Sequence, residues 1–248
     1  MKKRIGLALI AALLLSSVSA ISASANEKSN NSNNSSNSNS KTSVQKANQV
    51  NKASKSAKSA RCESTSALGH APIDVPIPDR VMTARQVARA MKQIVLETNC
   101  GEIVIQPNYR ARVALTAMNA LIRGGFYDMS LCHRLTTEGI FVLQCGDPTA
   151  TGRGGPNFTY GVENLPSASE NNYPEGVVAI ANSGTPNSNG SQFFIVYEDT
   201  TLPPNYTIFG RVKKGLDIVK MVARAGVKDG SGDGTPKQTI AIERASIR

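Results

Sequence analysis

The chain has 248 residues, with 28 Lys/Arg against 18 Asp/Glu and a formal net charge of +10, a length that suits one large domain or two small ones. Residues 1–61 hold ten Lys/Arg and a single acid, Glu27, whereas residues 62–248 hold 18 Lys/Arg and 17 acids. A folded face that tracks phosphates needs its own cationic excess, so this distribution excludes nucleic acid as an expected partner.

The first element is a leader. Lys2-Lys3-Arg4, an apolar run from Ile5 to Leu15 and small residues ending in Ala23-Ser24-Ala25 predict an export signal over 1–25, cleaved after Ala25. The run is short for a membrane span, which wants about 20 apolar residues; the membrane is a partner only if the leader is uncleaved. The expected location is secreted or extracytoplasmic, at the cell envelope. Residues 26–60 are almost entirely Asn, Ser, Lys and Ala, with Val44 and Val50 as the larger apolar side chains, a composition that predicts a disordered tether. Residues 61–92 read as a linker carrying Pro72, Pro76 and Pro78. Thr83, Val87, Ala88 and Met91 predict a short helix at its end.

The folded part opens with β-rich runs at 93–98 and 102–105 around Asn99-Cys100-Gly101, a hairpin. A helical period over 112–123 stops at Gly124-Gly125. A second hairpin pairs residues 132–135 with 141–147 around Glu138 and Gly139. The loop from Gly152 to Pro174 is too long for an ordinary connection. Its glycines lack the Lys-Ser/Thr of a phosphate cradle, and Pro156 interrupts any helix that would follow. Strands are expected at 177–180, 191–197 and 206–212, a helix at 216–224 ended by Gly226, a mobile turn at 229–235 and a last strand at 238–247. Many short strands with two amphipathic helices predict a closed antiparallel barrel capped at its ends.

Cys62, Cys100, Cys132 and Cys145 would meet an oxidising compartment. Three full pairings are open, and at least one bridge among Cys100, Cys132 and Cys145 is expected. No pair has Cys-x-x-Cys or His-x-x-x-His spacing, so no metal is expected.

The chemistry concentrates in four blocks: Cys132-His133-Arg134-Leu135, Phe141-Val142-Leu143-Gln144-Cys145-Gly146-Asp147, Ala181-Asn182-Ser183-Gly184, and Asn189-Gly190-Ser191-Gln192-Phe193-Phe194-Ile195. A cation and an amide on neighbouring strands can converge on one bound group. In this order and spacing the blocks resemble the cyclophilin-type peptidyl-prolyl cis/trans isomerases, over residues 93–248. The resemblance implies a mainly β, closed antiparallel eight-stranded cyclophilin-like barrel capped by two α-helices, working as a monomer without cofactor. The implied activity is rotation about X–Pro bonds in proline-containing polypeptides, assisting the folding of exported proteins.

By the same resemblance Arg134 is the catalytic donor, and Gln144 and Asn182 hold the peptide. Phe141, Val142, Phe194, Leu202 and Tyr206 wall the proline pocket, with Ala181 and Gln192 beside it; His133 is structural. Val142 stands where the family usually has methionine, Tyr206 where it has histidine, and Thr201 where many members have the tryptophan that contacts cyclosporin. A non-catalytic proline-peptide-binding or adhesion module on the same barrel is the alternative. Ser191, His133 and Asp147 would suit a serine hydrolase, but Gly-x-Ser-x-Gly is absent.

Overall fold

The computed structural model describes residues 62–76 and 78–248; the expected leader and tether lie outside the described residues. Ten strands run through them: β1 (Ile94–Thr98), β2 (Gly101–Pro107), β3 (Ser130–Leu131), β4 (Arg134–Thr136), β5 (Val142–Cys145), β6 (Val177–Ile180), β7 (Phe193–Val196), β8 (Ile208–Lys214), β9 (Asp233–Gly234) and β10 (Ala241–Ile247). Three helices accompany them, α1 (Ala84–Ala90), α2 (Arg112–Arg123) and α3 (Leu216–Ala225). The strands form one antiparallel sheet in the order β3-β10-β1-β2-β8-β6-β7-β5-β4-β9.

Ten strands rather than eight is a correction with a simple cause. The two additional strands, β3 and β9, are two residues long and sit at the two ends of the order. Among the described residues no ladder joins them, so the sheet curls without being closed by strand pairing. Closure passes through the chain itself at Cys132-His133. The Cys132 N–H donates to the Ile240 carbonyl beside β10 at 3.0 Å, and the next N–H, of His133, donates to the Gln144 carbonyl of β5 at 3.1 Å. A disulfide between Cys132 and Cys145 covers the same gap, one of the pairings that the spacing left open.

Side-chain alternation divides the sheet into two apolar faces. Phe193 and Ile195 of β7, Leu143 of β5 and Val178 and Ile180 of β6 join the main core with Leu96, Ile103, Ile105 and Phe209. One position along each strand, Phe194, Val196, Val142, Val177 and Ala179 form a second cluster around Tyr173. The main core is completed by Leu115, Met118 and Ile122 on one side of α2, and by Ile218, Val219 and Val222 of α3. Helix α2 has no side-chain cap of its own at Ala111. The Glu163 carboxylate, from the long loop, accepts from the Ala114 N–H at 2.9 Å instead, satisfying one of the helix's free donors and placing a negative charge at its positive end. Helix α3 starts from Gly215 at φ 88°, where a Cβ would collide with the Glu102 carbonyl.

The proline-containing stretch before β1 lies along the sheet. Cys62 is bonded to Cys100 in the β1–β2 turn, the Glu63 N–H donates to the Asn99 carbonyl at 2.7 Å, and the His70 N–H donates to the Pro148 carbonyl at 2.8 Å. Val75, Val87 and Met91 are buried in the main core. Helix α1 carries a capping box in which Thr83 and Gln86 satisfy each other's backbone N–H groups.

Candidate functional site

Strand register brings the chemistry together. Arg134 of β4 stands opposite Gln144 of β5, Gln144 opposite Phe194 of β7, and Phe194 opposite Ala179 of β6. One row across four strands therefore carries a cation, an amide, an aromatic ring and, beneath the ring, a small buried alanine. Residues directly opposite in antiparallel strands have Cβ atoms about 5 Å apart, so these side chains share one surface by necessity.

That surface is the floor and side of a cavity of about 140 Å³, lined by Arg134, Ile140, Val142, Gln144, Ala181, Asn182, Phe194, Leu202 and Tyr206. Its aromatic wall is rigid: Tyr206 stands edge-on to Phe194 at 5.4 Å, and Tyr173 lies behind both at 6.1–6.2 Å. The Tyr173 hydroxyl donates to the Tyr206 carbonyl at 3.1 Å and accepts from the Tyr206 N–H at 3.0 Å. Burial pushes that phenol up to about 12, so it stays a neutral clamp. Leu202 is held by Asn172, which donates to its carbonyl at 2.8 Å and accepts from its N–H at 3.0 Å.

Arg134 is fixed from two sides. Its Nε and Nη2 donate to the two carboxylate oxygens of Asp233, each at 2.7 Å, and Nη1 donates to Gln144 Oε1 at 3.2 Å. The Asp233 hydrogen bonds hold the guanidinium above its ordinary pKa, and Arg134 in turn pulls Asp233 below the usual carboxylate value. The polar chain continues from Gln144 Nε2 to Gln192 Oε1 at 2.8 Å, and from Gln192 Nε2 to the carbonyls of Gly152 and Gly154 at 3.0 and 2.8 Å. The Asn182 side chain is engaged by its own loop and by the β7–β8 connection. Nδ2 donates to Asn189 Oδ1 at 3.1 Å and to the Asn205 carbonyl at 2.9 Å, while Oδ1 accepts from the Gly184 N–H at 3.0 Å.

A wider groove of about 700 Å³ adjoins the small cavity and shares Gln144, Ala181 and Asn182 with it. Gln192 lines this groove rather than the small cavity, together with Arg153, Gly154 and, from the segment before β1, Pro72. Its near wall is organised by Asp147, a fully buried carboxylate that accepts from the N–H and hydroxyl of Thr149, the N–H and hydroxyl of Thr151 and the N–H of Gly154. Burial works to raise its pKa, but the bonds from Thr149 and Gly154 prevail and hold it below the ordinary value.

One expectation is corrected. Phe141 does not line the cavity, because residues 140, 142 and 144 share one side of the chain and 141, 143 and 145 the other. Its ring packs against the main core, edge-on to Tyr197 at 6.0 Å, and Ile140 supplies the wall instead. His133, expected to be structural, stands outside the cavity, with both ring nitrogens buried and without hydrogen-bond partners among the described residues. Burial, reinforced by Arg134, lowers its pKa against the pull of Asp147. A serine hydrolase is ruled out by geometry: the Ser191 hydroxyl is buried and donates to the Gly146 carbonyl at 2.7 Å, with no contact to His133.

Sequence reasoning missed Ile140, Tyr173 and Asp233. The alternation that placed Val142 and Gln144 on one side carried the signal for Ile140. Asp233 lay in a stretch read as a mobile turn, whereas its backbone pairs with Thr136 as β9. Tyr173 had no signal beyond its own chemistry, a large ring with a polar tip.

The model of the family described as cyclophilin type peptidyl-prolyl cis-trans isomerase/CLD matches residues 93–247. The probable peptidyl-prolyl cis-trans isomerase B of Mycobacterium leprae is 40% identical over 160 residues, which cover 60% of this chain and 54% of that protein. The protein of the same name from Mycobacterium tuberculosis H37Rv is 37% identical over 187 residues, 67% of this chain and 60% of that one. This chain therefore spans little more than half the length of those relatives. A crystal structure of a cyclophilin type peptidyl-prolyl cis-trans isomerase from Cryptosporidium parvum superposes with a TM-score of 0.55 at 25% identity, covering 64% of this chain and 98% of that one. A second structure of that protein, in the presence of the dipeptide Ala-Pro, gives 0.54 at 26%, over 63% and 98%.

Proposed function

The chain belongs to the cyclophilin-type peptidyl-prolyl cis-trans isomerase family, and from that premise we propose that it accelerates rotation about X–Pro bonds in polypeptides. The observation that carries the reading is the row Arg134–Gln144–Phe194, a charged donor and an amide set beside a small aromatic-walled cavity.

Amide resonance gives X–Pro rotation a barrier of roughly 20 kcal/mol and uncatalysed times of tens of seconds or more. No covalent step is needed to lower it. The site has to bind the twisted imide, with its pyramidal nitrogen, better than either planar form. The cavity between Phe194, Val142, Leu202 and Tyr206 takes the pyrrolidine ring. Backbone groups near Asn182 and the Gln144 amide hold the chain on either side. Of Arg134's five N–H groups, three are used within the protein; the remaining two are offered to the prolyl carbonyl and the imide nitrogen as its lone pair is released. The leader expected in the sequence directs this activity to exported chains folding outside the membrane, which are its proposed clients.

A proline-peptide isomerisation assay on the full chain tests the reading, with two-dimensional exchange NMR on the same peptide. Faster exchange between cis and trans peaks is expected. Peptide binding with exchange left at the uncatalysed rate would make the chain a proline-binding module.

A further inference from the structure

We propose that Asp233 is a positioning residue for Arg134, a carboxylate that fixes the plane of the guanidinium so that its two free N–H groups face the imide. The proposal rests on the reading of Arg134 as the donor in the twisted state, and it concerns what makes that donor effective. An arginine side chain has four rotatable bonds and about 2 kcal/mol of rotamer entropy. Left alone on a half-exposed strand, Arg134 would sample many orientations. The two parallel bonds from Nε and Nη2 to Asp233, both 2.7 Å, remove that freedom in the geometry where a guanidinium is held most tightly by a carboxylate. Gln144 completes the support from the opposite edge at 3.2 Å.

The loop that carries Asp233 is built to deliver it. Asp229 Oδ1 accepts from the N–H and the hydroxyl of Ser231 at 3.0 and 2.7 Å, and the Ser231 hydroxyl also meets the Asp233 carbonyl at 2.9 Å. Backbone pairing of Leu135 with Gly234 and Thr136 with Asp233, and the bond from the Thr137 N–H to the Gly232 carbonyl at 2.8 Å, lock the loop to β4. These contacts are all made without the Asp233 carboxylate. The loop is therefore held by other groups as well, and among the described residues the side-chain carboxylate of Asp233 is paired with Arg134 alone.

The test is a double-mutant cycle in the full chain, with kcat and KM measured separately. Asp233→Asn keeps size and loop pairing, and is expected to lower kcat/KM roughly tenfold, a modest share of the hundredfold that a misplaced group can cost, with KM changed less than about twofold. In an Arg134→Lys background, which lacks the fork, Asp233→Asn should change kcat/KM by less than about twofold. The Arg134 Nε–H signal should be slow to exchange in the wild type and fast in Asp233→Asn. Unchanged or increased kcat/KM in Asp233→Asn, or an equal loss in both backgrounds, overturns the proposal. Near-wild-type turnover in Arg134→Ala would instead overturn the assignment of Arg134 itself.

Discussion

At the scale of single residues, Arg134 and Phe194 differ in what they offer a planar proline. On the proposed reading the cis and trans forms of the X–Pro bond touch Phe194 alike, whereas the Arg134 donors gain most when the nitrogen lone pair appears. Arg134→Ala should therefore lower kcat/KM by about 10²–10³, the usual loss for one such donor, with far less change in peptide affinity. Phe194→Ala should weaken peptide binding as well. Because that ring is only 4% exposed and packs on Tyr173 and Tyr206, it should also cost about 3–5 kcal/mol of stability by urea unfolding. Asp147 makes a different prediction. Its folded-state pKa lies below its ordinary value, so it contributes stability that is complete above the unfolded carboxylate value and lost as pH falls through the folded one. Asp147→Asn should be about 1–3 kcal/mol less stable than wild type at pH 7, and the gap should close in acid. Arg134, Gln144 and Phe194 were readable because their residue types and spacing are unusual together. Asp233 was not, since a carboxylate among glycines gives no hint of a partner 99 positions away.

Among the elements, β5 and β7 show both the reach and the limit of pattern reading. Phe193-Phe194-Ile195-Val196 is buried on both faces, so apolar content announces a strand but hides which face meets the core. Register with Gln144, a polar residue that has to face the open side, resolves it. Strands of two residues have no period at all, which is why β3 and β9 escaped notice and why 229–235 read as a mobile turn. The stretch at 67–80 was likewise read from its prolines, which disfavour helix but say nothing of Val75 being buried, whereas the spacing of Val87 and Met91 did announce α1. The join between β3 and β5 invites a test. Replacing Cys132 and Cys145 together by Ala should cost about 3 kcal/mol by denaturant unfolding, as expected for a short closed loop. kcat/KM should fall in the same variant, because Gln144 adjoins one end of that bridge and Arg134 lies two residues from the other. Full activity with the stability loss would show that β4 and β5 keep their register unaided.

For the molecule as a whole, a curled antiparallel β architecture was legible in the count and length of the apolar runs, while its ten strands and its lack of closure by strand pairing among the described residues were not. The Cys62–Cys100 bridge has a mechanical meaning. Any pull exerted on the chain ahead of Cys62 bypasses the next 37 residues, because the bridge, with its separation of 38, hands the load to the β1–β2 turn. Strand β1 is held there on both sides, by β2 and by β10, so tension enters the sheet at a doubly paired strand and leaves the cavity on β4 and β5 unloaded. In a single-molecule pulling experiment with handles at residue 61 and the C-terminus, adding reductant should release about 17 nm of hidden contour length, the 38 residues behind this bridge and the 13 behind Cys132–Cys145 at roughly 3.4 Å each. A domain restrained this way can be pulled from the side of Cys62 while the cavity on β4 and β5 keeps its shape.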